Sequence, residues 1–361
     1  MPLLPDAESF HRLVDGSARG PAAAAARAVL AGLAVPYCLA VGIRNAAYDR
    51  GLLPATHAAV PVVSVGNLTL GGTGKTPLVA WVVRALSSSG LRPAIVSRGY
   101  GARRGERSDE AAELGLLLPG VPHFADRDRV AAAAAAAAAA DVVVLDDGFQ
   151  HRRLAREFDI VAVDATDPFG GGRIFPRGLL REPLAGLRRA GAVVLTRATA
   201  VDAARRAEIR RRLEAACGAA VPPVWAEARH RPVRLRSARH EERPLADLAA
   251  ARVAAFAGIG NPAAFRGAIE SCGAELVGFR GFPDHHAYTA TDLDDLDRWA
   301  GGLRADLVVT TLKDLVKIDR ERLGGVPLTA LEVALDVLAG GDVLQAAIAR
   351  ATARIVAERQ A

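Results

Sequence analysis

The chain has 361 residues, enough for two domains, and 51% of them are hydrophobic, which excludes a disordered class and provides for a sizeable core. Lys and Arg number 46 against 40 Asp and Glu, a net charge of +6 that suits an anionic partner (membrane lipid, nucleic acid or phosphorylated substrate) without choosing among them. The three isolated cysteines, Cys38, Cys217 and Cys272, exclude a disulfide framework and a zinc-type cluster and point to a reducing, cytosolic setting.

Residues 28–43 carry no charge, are bracketed by Arg27 and Arg44, and contain Pro36. Spanning a bilayer takes about 20 apolar residues, so this run is short for a crossing. It lies too far from Met1 for a signal peptide. Its basic flanks predict a helix lying in a membrane interface.

The apolar run from Val62 leads through Asn67 into Leu68-Thr69-Leu70-Gly71-Gly72-Thr73-Gly74-Lys75-Thr76-Pro77. A buried strand, a glycine-rich loop, Lys-Thr and a helix start form the context of a phosphate-binding P-loop. Gly71, Gly72 and Gly74, with Thr73 between them, let backbone N–H groups turn toward a phosphate. Lys75 then reaches the β- and γ-phosphates, and the Thr76 hydroxyl ligates Mg²⁺. Pro77 suits the first turn of the helix, whose N-terminus adds a favourable dipole. Thr69 stands where the usual spacing has glycine.

Residues 92–97 predict a second strand, ending in the polar loop Arg98-Gly99-Tyr100-Gly101. Loops at the carboxyl ends of strands collect ligands in open α/β sheets. Ser108-Asp109-Glu110 follows, and then ten consecutive alanines, 131–140, which predict a plain helix without a function. Four apolar residues, 142–145, deliver Asp146 and Asp147 at their tip, the Walker-B arrangement for holding Mg²⁺. Strands are expected at 160–164 and 192–196. The long loop between them carries Arg173, Arg177 and Arg181, suited to phosphate or carboxylate.

Residues 222–245 are rich in Pro and Arg and read as a linker. A second β/α pattern begins at Val253, with a glycine turn at 258–260 and a helix from about Pro262. A polar loop at 282–288 contains His285, and a strand from Leu307 ends at Lys313-Asp314. The expected fold class is α/β: a P-loop NTPase-like, mostly parallel sheet with helices on both faces, a second, smaller α/β domain and an N-terminal membrane-associated helix. The expected boundaries are a helical region at 1–50, a P-loop domain at 51–221, a linker at 222–250 and an α/β domain at 251–361.

In combination these motifs resemble the tetraacyldisaccharide 4′-kinase family, the lipid A 4′-kinases. The matching pieces are Val65 to Thr69 with Gly71 to Pro77, Ser97 to Gly101, Asp109-Glu110, Asp146 to His151, the loop from Gly172-Arg173 to Arg181-Glu182-Pro183, Asp284-His285 and Lys313-Asp314. They run in order from about residue 10 to 320. Ser108, Ala111-Ala112 and Leu312 depart from the pattern, standing where Gly, Pro and an acidic residue are usual.

The resemblance implies transfer of the ATP γ-phosphate to the 4′-hydroxyl of a tetraacylated disaccharide 1-phosphate, the lipid A precursor, with Mg²⁺ as the metal. It implies a cytoplasmic enzyme docked on the inner membrane through its N-terminal helix; no obligate protein partner is evident in the sequence. Gly71, Gly72, Thr73, Gly74, Lys75 and Thr76 would bind the nucleotide. Thr76 and Asp146 would hold Mg²⁺, with Asp147 as a second acid or an orienting group. Asp109 is the candidate base, paired with His285, and Lys75 stabilises the transferring phosphate. Asn67, Arg98, Tyr100, Gln150, His151, Arg173, Arg177 and Arg181 are the candidate substrate ligands. Two other classes compete: a membrane-associated NTPase switch with water as its acceptor, and a nucleic-acid-dependent ATPase. The second requires basic stripes interleaved with aromatics; aromatics are only 5% of the chain and form no such stripe, so no nucleic-acid partner is expected.

Overall fold

The computed structural model describes residues 7–99, 108–218 and 223–360. Helices α1 (Ala7–Val14) and α2 (Pro21–Asp49) open it, followed by β1 (Val62–Asn67) and α3 (Lys75–Ser88). Next come β2 (Pro93–Ser97), α4 (Asp109–Leu117), β3 (His123–Ala125), α5 (Arg129–Ala137) and β4 (Val142–Asp146). Strands β5 (Phe158–Asp164) and β6 (Ala192–Thr196) lead to α6 (Ala203–Cys217) and the long β7 (Val224–Ser237). Then follow β8 (Glu242–Arg243), β9 (Arg252–Ala257), α7 (Pro262–Ser271), β10 (Glu275–Gly281) and α8 (Ala290–Gly302). The chain finishes with β11 (Leu307–Thr311), the single turn α9 (Leu312–Leu315), β12 (Arg322–Leu323), β13 (Val326–Ala339) and α10 (Gly341–Gln360).

Two compact units divide these elements. Unit 1 comprises 1–98, 121–229 and 336–361; unit 2 comprises 99–120 and 230–335. In unit 1 the strands pair in the order β3-β2-β4-β1-β5-β6-β7, every pair parallel. Strands β1, β2, β4 and β6 are buried along their whole length, as sheets covered on both faces require. In unit 2 the order is β10-β9-β11-β13, again parallel, with β12 antiparallel to β13 and β8 antiparallel to β7. Its core gathers Leu248, Val253, Ala255, Ile269, Val309 and Leu331.

These boundaries differ from the expected ones in three ways. Residues 224–237 form a strand, not a linker: Ala226 and Ala228 are buried between more exposed neighbours. Alanine is a poor strand former, and Arg and Pro dominate the composition here, so the period-2 pattern is muted. The C-terminal residues belong to unit 1, where Leu344 and Ile348 of α10 are buried. Residues 108–117 belong to unit 2, which separates Asp109 from the P-loop domain in which it was expected.

Helix α2 is also longer than the uncharged run that announced it. Its 29 residues extend about 43 Å, with Pro36 inside, and meet the length and apolarity of a membrane-crossing helix. One face packs on unit 1: Tyr37 donates to the Arg181 carbonyl at 3.0 Å, and buried Asn45 donates to Glu182 Oε2 at 3.0 Å. The outer face leaves Val29, Leu33, Val35, Leu39 and Ile43 exposed, each by 55–70%. The helix announced by the alanine run starts earlier, at Arg129, and ends at Ala137.

Candidate functional site

In unit 1, parallel pairing sets Val65 of β1 opposite Asp146, so the tip of β4 comes beside the start of the glycine-rich loop. The loop is tied down by its own surroundings. Asn67 Nδ2 donates to the Thr69 carbonyl at 2.7 Å and to Thr73 Oγ1 at 2.9 Å. Thr196, at the end of β6, donates to the Thr73 carbonyl at 2.8 Å, and Arg197 donates to the Gly72 carbonyl at 3.0 Å while pairing with Asp164. With these carbonyls engaged on protein donors, the loop is preset for an anion at its amides. Gly71 (φ 102°) and Gly74 (φ 79°) take the left-handed backbone that favours glycine; Gly72 does not. Thr69 replaces the usual glycine because it is buried against the arginine loop: Leu70 N donates to the Leu179 carbonyl and Arg181 N to the Leu68 carbonyl, both at 2.8 Å. Thr76 lies in the first turn of α3.

That pairing carries Arg181 to the phosphate loop. Asp147 accepts from Lys75 Nζ at 2.5 Å and from Arg181 Nη1 at 2.9 Å on each oxygen. Burial pushes the Asp147 carboxyl up, but the charges and hydrogen bonds of Lys75 and Arg181 outweigh it and hold the group well below the usual carboxylate range. Asp147 adopts φ 51°, a conformation tolerated best by Asn, Asp and Gly, and its carbonyl accepts from Arg129 at 2.7 Å. Burial lowers the Arg129 pKa, against the opposing pull of Asp147 and Asp146. Asp146 itself is only 5% exposed.

The other expected ligands in unit 1 have varied surroundings. Asn67 is fully buried and spends its amide protons on the loop. Gln150 donates to the Asn67 carbonyl at 2.9 Å and to Glu182 Oε1 at 3.0 Å. His151 is half-buried, and burial, reinforced by Arg129, Arg156 and Arg153, pushes its pKa down to about 4, so it brings no charge to a phosphate at neutral pH. Arg177 turns to the Val14 carbonyl at 3.4 Å, while Arg173 and Arg98 are exposed. Tyr100 lies outside the described residues. Among the described residues, no three His, Cys, Asp or Glu side chains form a metal-binding group.

Unit 2 brings together Asp109 and His285, 176 positions apart, with His285 Nδ1 3.0 Å from Asp109 Oδ2. Ser108 caps α4 by accepting from Ala111 N at 3.3 Å, which fixes Asp109 in the first turn and supplies what glycine could not. His285 adopts φ 60°, and its N–H donates to Asp284 Oδ1 at 3.0 Å. Burial raises the Asp109 pKa, but the His285 hydrogen bond and charge, then Lys313 and Lys317, outweigh it and leave the carboxyl below its ordinary value. Lys317 stands 3.9 Å from Asp109 Oδ2 and 3.0 Å from buried Asp314.

Several residues of these clusters were not singled out from the sequence. Arg129 heads the alanine run as its one charged residue. Glu182, named only within the family-like loop and given no role, is fully buried and accepts from Arg189, Asn45 and Gln150. Lys313 was visible only as part of the Lys-Asp pair that ends a strand, and Lys317 carried no signal.

The profile of the family described as tetraacyldisaccharide-1-P 4′-kinase (LpxK) matches residues 26–352. A tetraacyldisaccharide 4′-kinase of Anaeromyxobacter dehalogenans (strain 2CP-C) is 43% identical over 351 residues, covering 91% of this chain and 92% of the relative. That of Geobacter sulfurreducens is 38% identical over 348 residues, covering 90% and 94%. The crystal structure of an "apo" form LpxK from Aquifex aeolicus in complex with ATP superimposes with a TM-score of 0.69 at 29% identity, covering 90% of this chain and 99% of that one. A glycine-rich loop leading into Lys75 and a buried acid at the tip of β4, in a chain matched along nearly its whole length, lead to one assignment: the protein belongs to the tetraacyldisaccharide-1-P 4′-kinase family.

Proposed function

We propose that the protein transfers the γ-phosphate of ATP to the 4′-hydroxyl of a tetraacyldisaccharide 1-phosphate, a step of lipid A synthesis. The observation that carries this reading beyond nucleotide binding is the Asp109–His285 pair at 3.0 Å. A phosphate loop alone serves a hydrolytic switch equally well. A carboxylate held ionised beside an imidazole supplies what a sugar hydroxyl needs, an acceptor for its proton. Asp109 takes that proton, and His285 holds Asp109 in place. The loop amides and Lys75 bind the nucleotide phosphates and stabilise charge on the group in transfer.

The Thr76 hydroxyl and the Asp146 carboxylate are hard oxygen donors of the kind Mg²⁺ takes and would hold the ion. When bound, Mg²⁺ neutralises charge on the phosphates. Asp147, already engaged by Lys75 and Arg181, acts as the orienting acid. Asn67 and Gln150 shape the loop from within, while exposed Arg98 and Arg173 remain the candidates for an anionic group of the lipid.

The acceptor's acyl chains stay in a bilayer, so the enzyme works at the cytoplasmic face of the inner membrane. The exposed ridge from Val29 to Ile43, flanked by exposed Arg12, Arg19, Arg44 and Arg50, supports interfacial docking through α2. The test is transfer from γ-labelled ATP to tetraacyldisaccharide 1-phosphate in mixed micelles. Label should appear on the 4′-oxygen of the lipid. Nucleotide hydrolysis at one rate with or without lipid, and no labelled lipid, would identify an NTPase instead.

A further inference from the structure

Glu182 follows Arg181 in the arginine loop of unit 1, and its carboxylate is fully buried. Oε1 accepts from Gln150 Nε2 at 3.0 Å and from Arg189 Nη2 at 2.9 Å. Oε2 accepts from Asn45 Nδ2 at 3.0 Å and from the same Arg189 nitrogen at 2.9 Å. A buried ion pair is weak evidence of stabilisation, since an apolar pair of the same volume often does as well or better. What an apolar pair lacks is direction. A carboxylate only accepts, so it sets the orientation of two amide side chains, one from α2 and one from the turn after β4.

The two amides lead to different places. Asn45 belongs to the inner face of α2, the helix whose outer face carries the exposed apolar ridge. Gln150 Nε2 also donates to the Asn67 carbonyl at 2.9 Å, and Asn67 in turn holds the phosphate loop through Thr69 and Thr73. Arg189 closes the clamp from the other side. Its guanidinium lies 4.6 Å from the centroid of the Phe149 ring, and Phe149 is pressed against the end of β1, where a Cβ on Gly66 would come within 2.6 Å of the Phe149 Cβ. Hydrogen bonds of 2.9–3.0 Å therefore run unbroken from Asn45 through Glu182, Gln150 and Asn67 to Thr73.

We propose that Glu182 is a positioning residue for the nucleotide site, and that α2 serves that site through Asn45 in addition to docking through its ridge. A phosphate loop binds ATP in proportion to the time it spends in the competent shape. Asn67 fixes Thr69 and Thr73 only while its own backbone is held, and Gln150, oriented by Glu182, holds it. Arg181 repeats the arrangement: its carbonyl accepts from Tyr37 of α2 at 3.0 Å, while its guanidinium engages Asp147 at 2.9 Å. Two adjacent residues thus meet α2 with one group and the phosphate site with another. The inner face of α2 supports the ATP site, and its outer face belongs to the membrane.

The proposal rests on the ATP half of the kinase reading, and binding tests it without acceptor or turnover. The experiment is calorimetric titration of the full-length protein in detergent with a non-hydrolysable ATP analogue and Mg²⁺. Flotation of the same protein with vesicles of phosphatidylethanolamine and phosphatidylglycerol, after detergent removal, runs beside it. Glu182→Gln keeps the shape and removes the charge that orients both amides; Asn45→Ala removes the donor from α2. A loop competent about one-tenth of the time binds about tenfold more weakly, so Glu182→Gln should raise the Kd of the analogue about tenfold and Asn45→Ala about threefold. The double variant should resemble Glu182→Gln alone, because both changes break one chain of contacts. Flotation should stay at the wild-type level in all three. An unchanged Kd in folded Asn45→Ala would overturn the proposal, and so would a weakening shared equally by the vesicles, the mark of a helix come loose from unit 1. If Glu182→Gln does not fold, with Arg189 left without its counter-ion, Asn45→Ala decides alone. Weakened analogue binding in these variants of a protein whose wild type labels no lipid would sink the kinase reading and leave the positioning role standing.

Discussion

Asp147 in unit 1 and Asp109 in unit 2 are the same residue type in nearly opposite circumstances. Asp147 meets two permanent cations, Lys75 at 2.5 Å and Arg181 at 2.9 Å, and both of its oxygens are engaged. Asp109 meets an imidazole at 3.0 Å and the Lys317 ammonium at 3.9 Å. Both carboxyls are held below their ordinary pKa, Asp147 far more strongly. A carboxylate saturated by cations is a poor proton acceptor and a good counter-ion. Of two carboxylates held below their ordinary value, the one held less strongly is the better acceptor. On the proposed function, the contrast separates an orienting acid, Asp147, from a base, Asp109.

The largest effect should come from Lys75→Ala. Charge stabilisation on a transferring phosphoryl group is worth about 10³–10⁵ in kcat in related systems. Loss of this order with an unchanged circular dichroism spectrum is expected. Near-normal lipid phosphorylation by a folded variant would remove the phosphate loop from the mechanism and empty the comparison of its first half.

Asp109→Asn should follow, with a loss of about 10²–10⁴ in kcat and unchanged ATP affinity. His285→Ala should cost less and add little in the double variant, because a pair acting as one unit fails together. Additive losses would show that the two side chains act separately.

Delivery of the acceptor is a separate matter from its chemistry, and α2 tests it. Replacing Val29, Leu33, Leu39 and Ile43 by Ser removes the exposed ridge without touching Tyr37 or Asn45, which face unit 1. Full burial of such a side chain is worth about 1.5–3 kcal/mol, so vesicle binding should fall and the apparent KM for lipid rise at least about tenfold. KM for ATP should not move. A variant that floats with vesicles as well as wild type would place the docking surface elsewhere.

The two halves also differ in how much of them could be read in the sequence. The phosphate loop is a local signal: strand, glycines, Lys75, Thr76 and helix occupy one stretch of chain, and β4 announces itself by four apolar residues and two acids. Arg181 and Asp147 were both candidates, but their pairing was not foreseen, because the contact depends on Leu68 and Leu70 pairing with the arginine loop. The Asp109–His285 pair spans 176 positions and came from family resemblance, since no periodicity links such distant residues. Lys313 needed the fold itself, because its neighbour in sequence gave no hint that its amine meets an imidazole. The length of α2 was underestimated because the reading stopped at charged residues, whereas a helix end is set by capping and packing.

The smallest expected effect concerns a third carboxyl, one turn beyond Asp109 on α4, held in the opposite sense. Part of the Glu113 side chain reaches the surface, yet burial, with Glu110, Asp314 and Asp109 adding to it and Lys313 opposing, pushes its pKa from 4.5 up to about 8. The folded protein therefore keeps a proton on Glu113 between pH 4.5 and 8, while the unfolded chain has released it. With more protons bound in the fold, stability contributed by this group is complete below pH 4.5 and declines as pH rises toward 8, by at most about 1.4 kcal/mol per pH unit. Glu113→Gln removes the titration and keeps the shape. Urea denaturation should find the variant close to wild type at pH 5 and progressively more stable than wild type toward pH 8. Parallel stability curves across that range would mean that Glu113 is ionised in the fold. The acceptor half would then carry one more negative charge beside Asp109 than the contrast with Asp147 assumes.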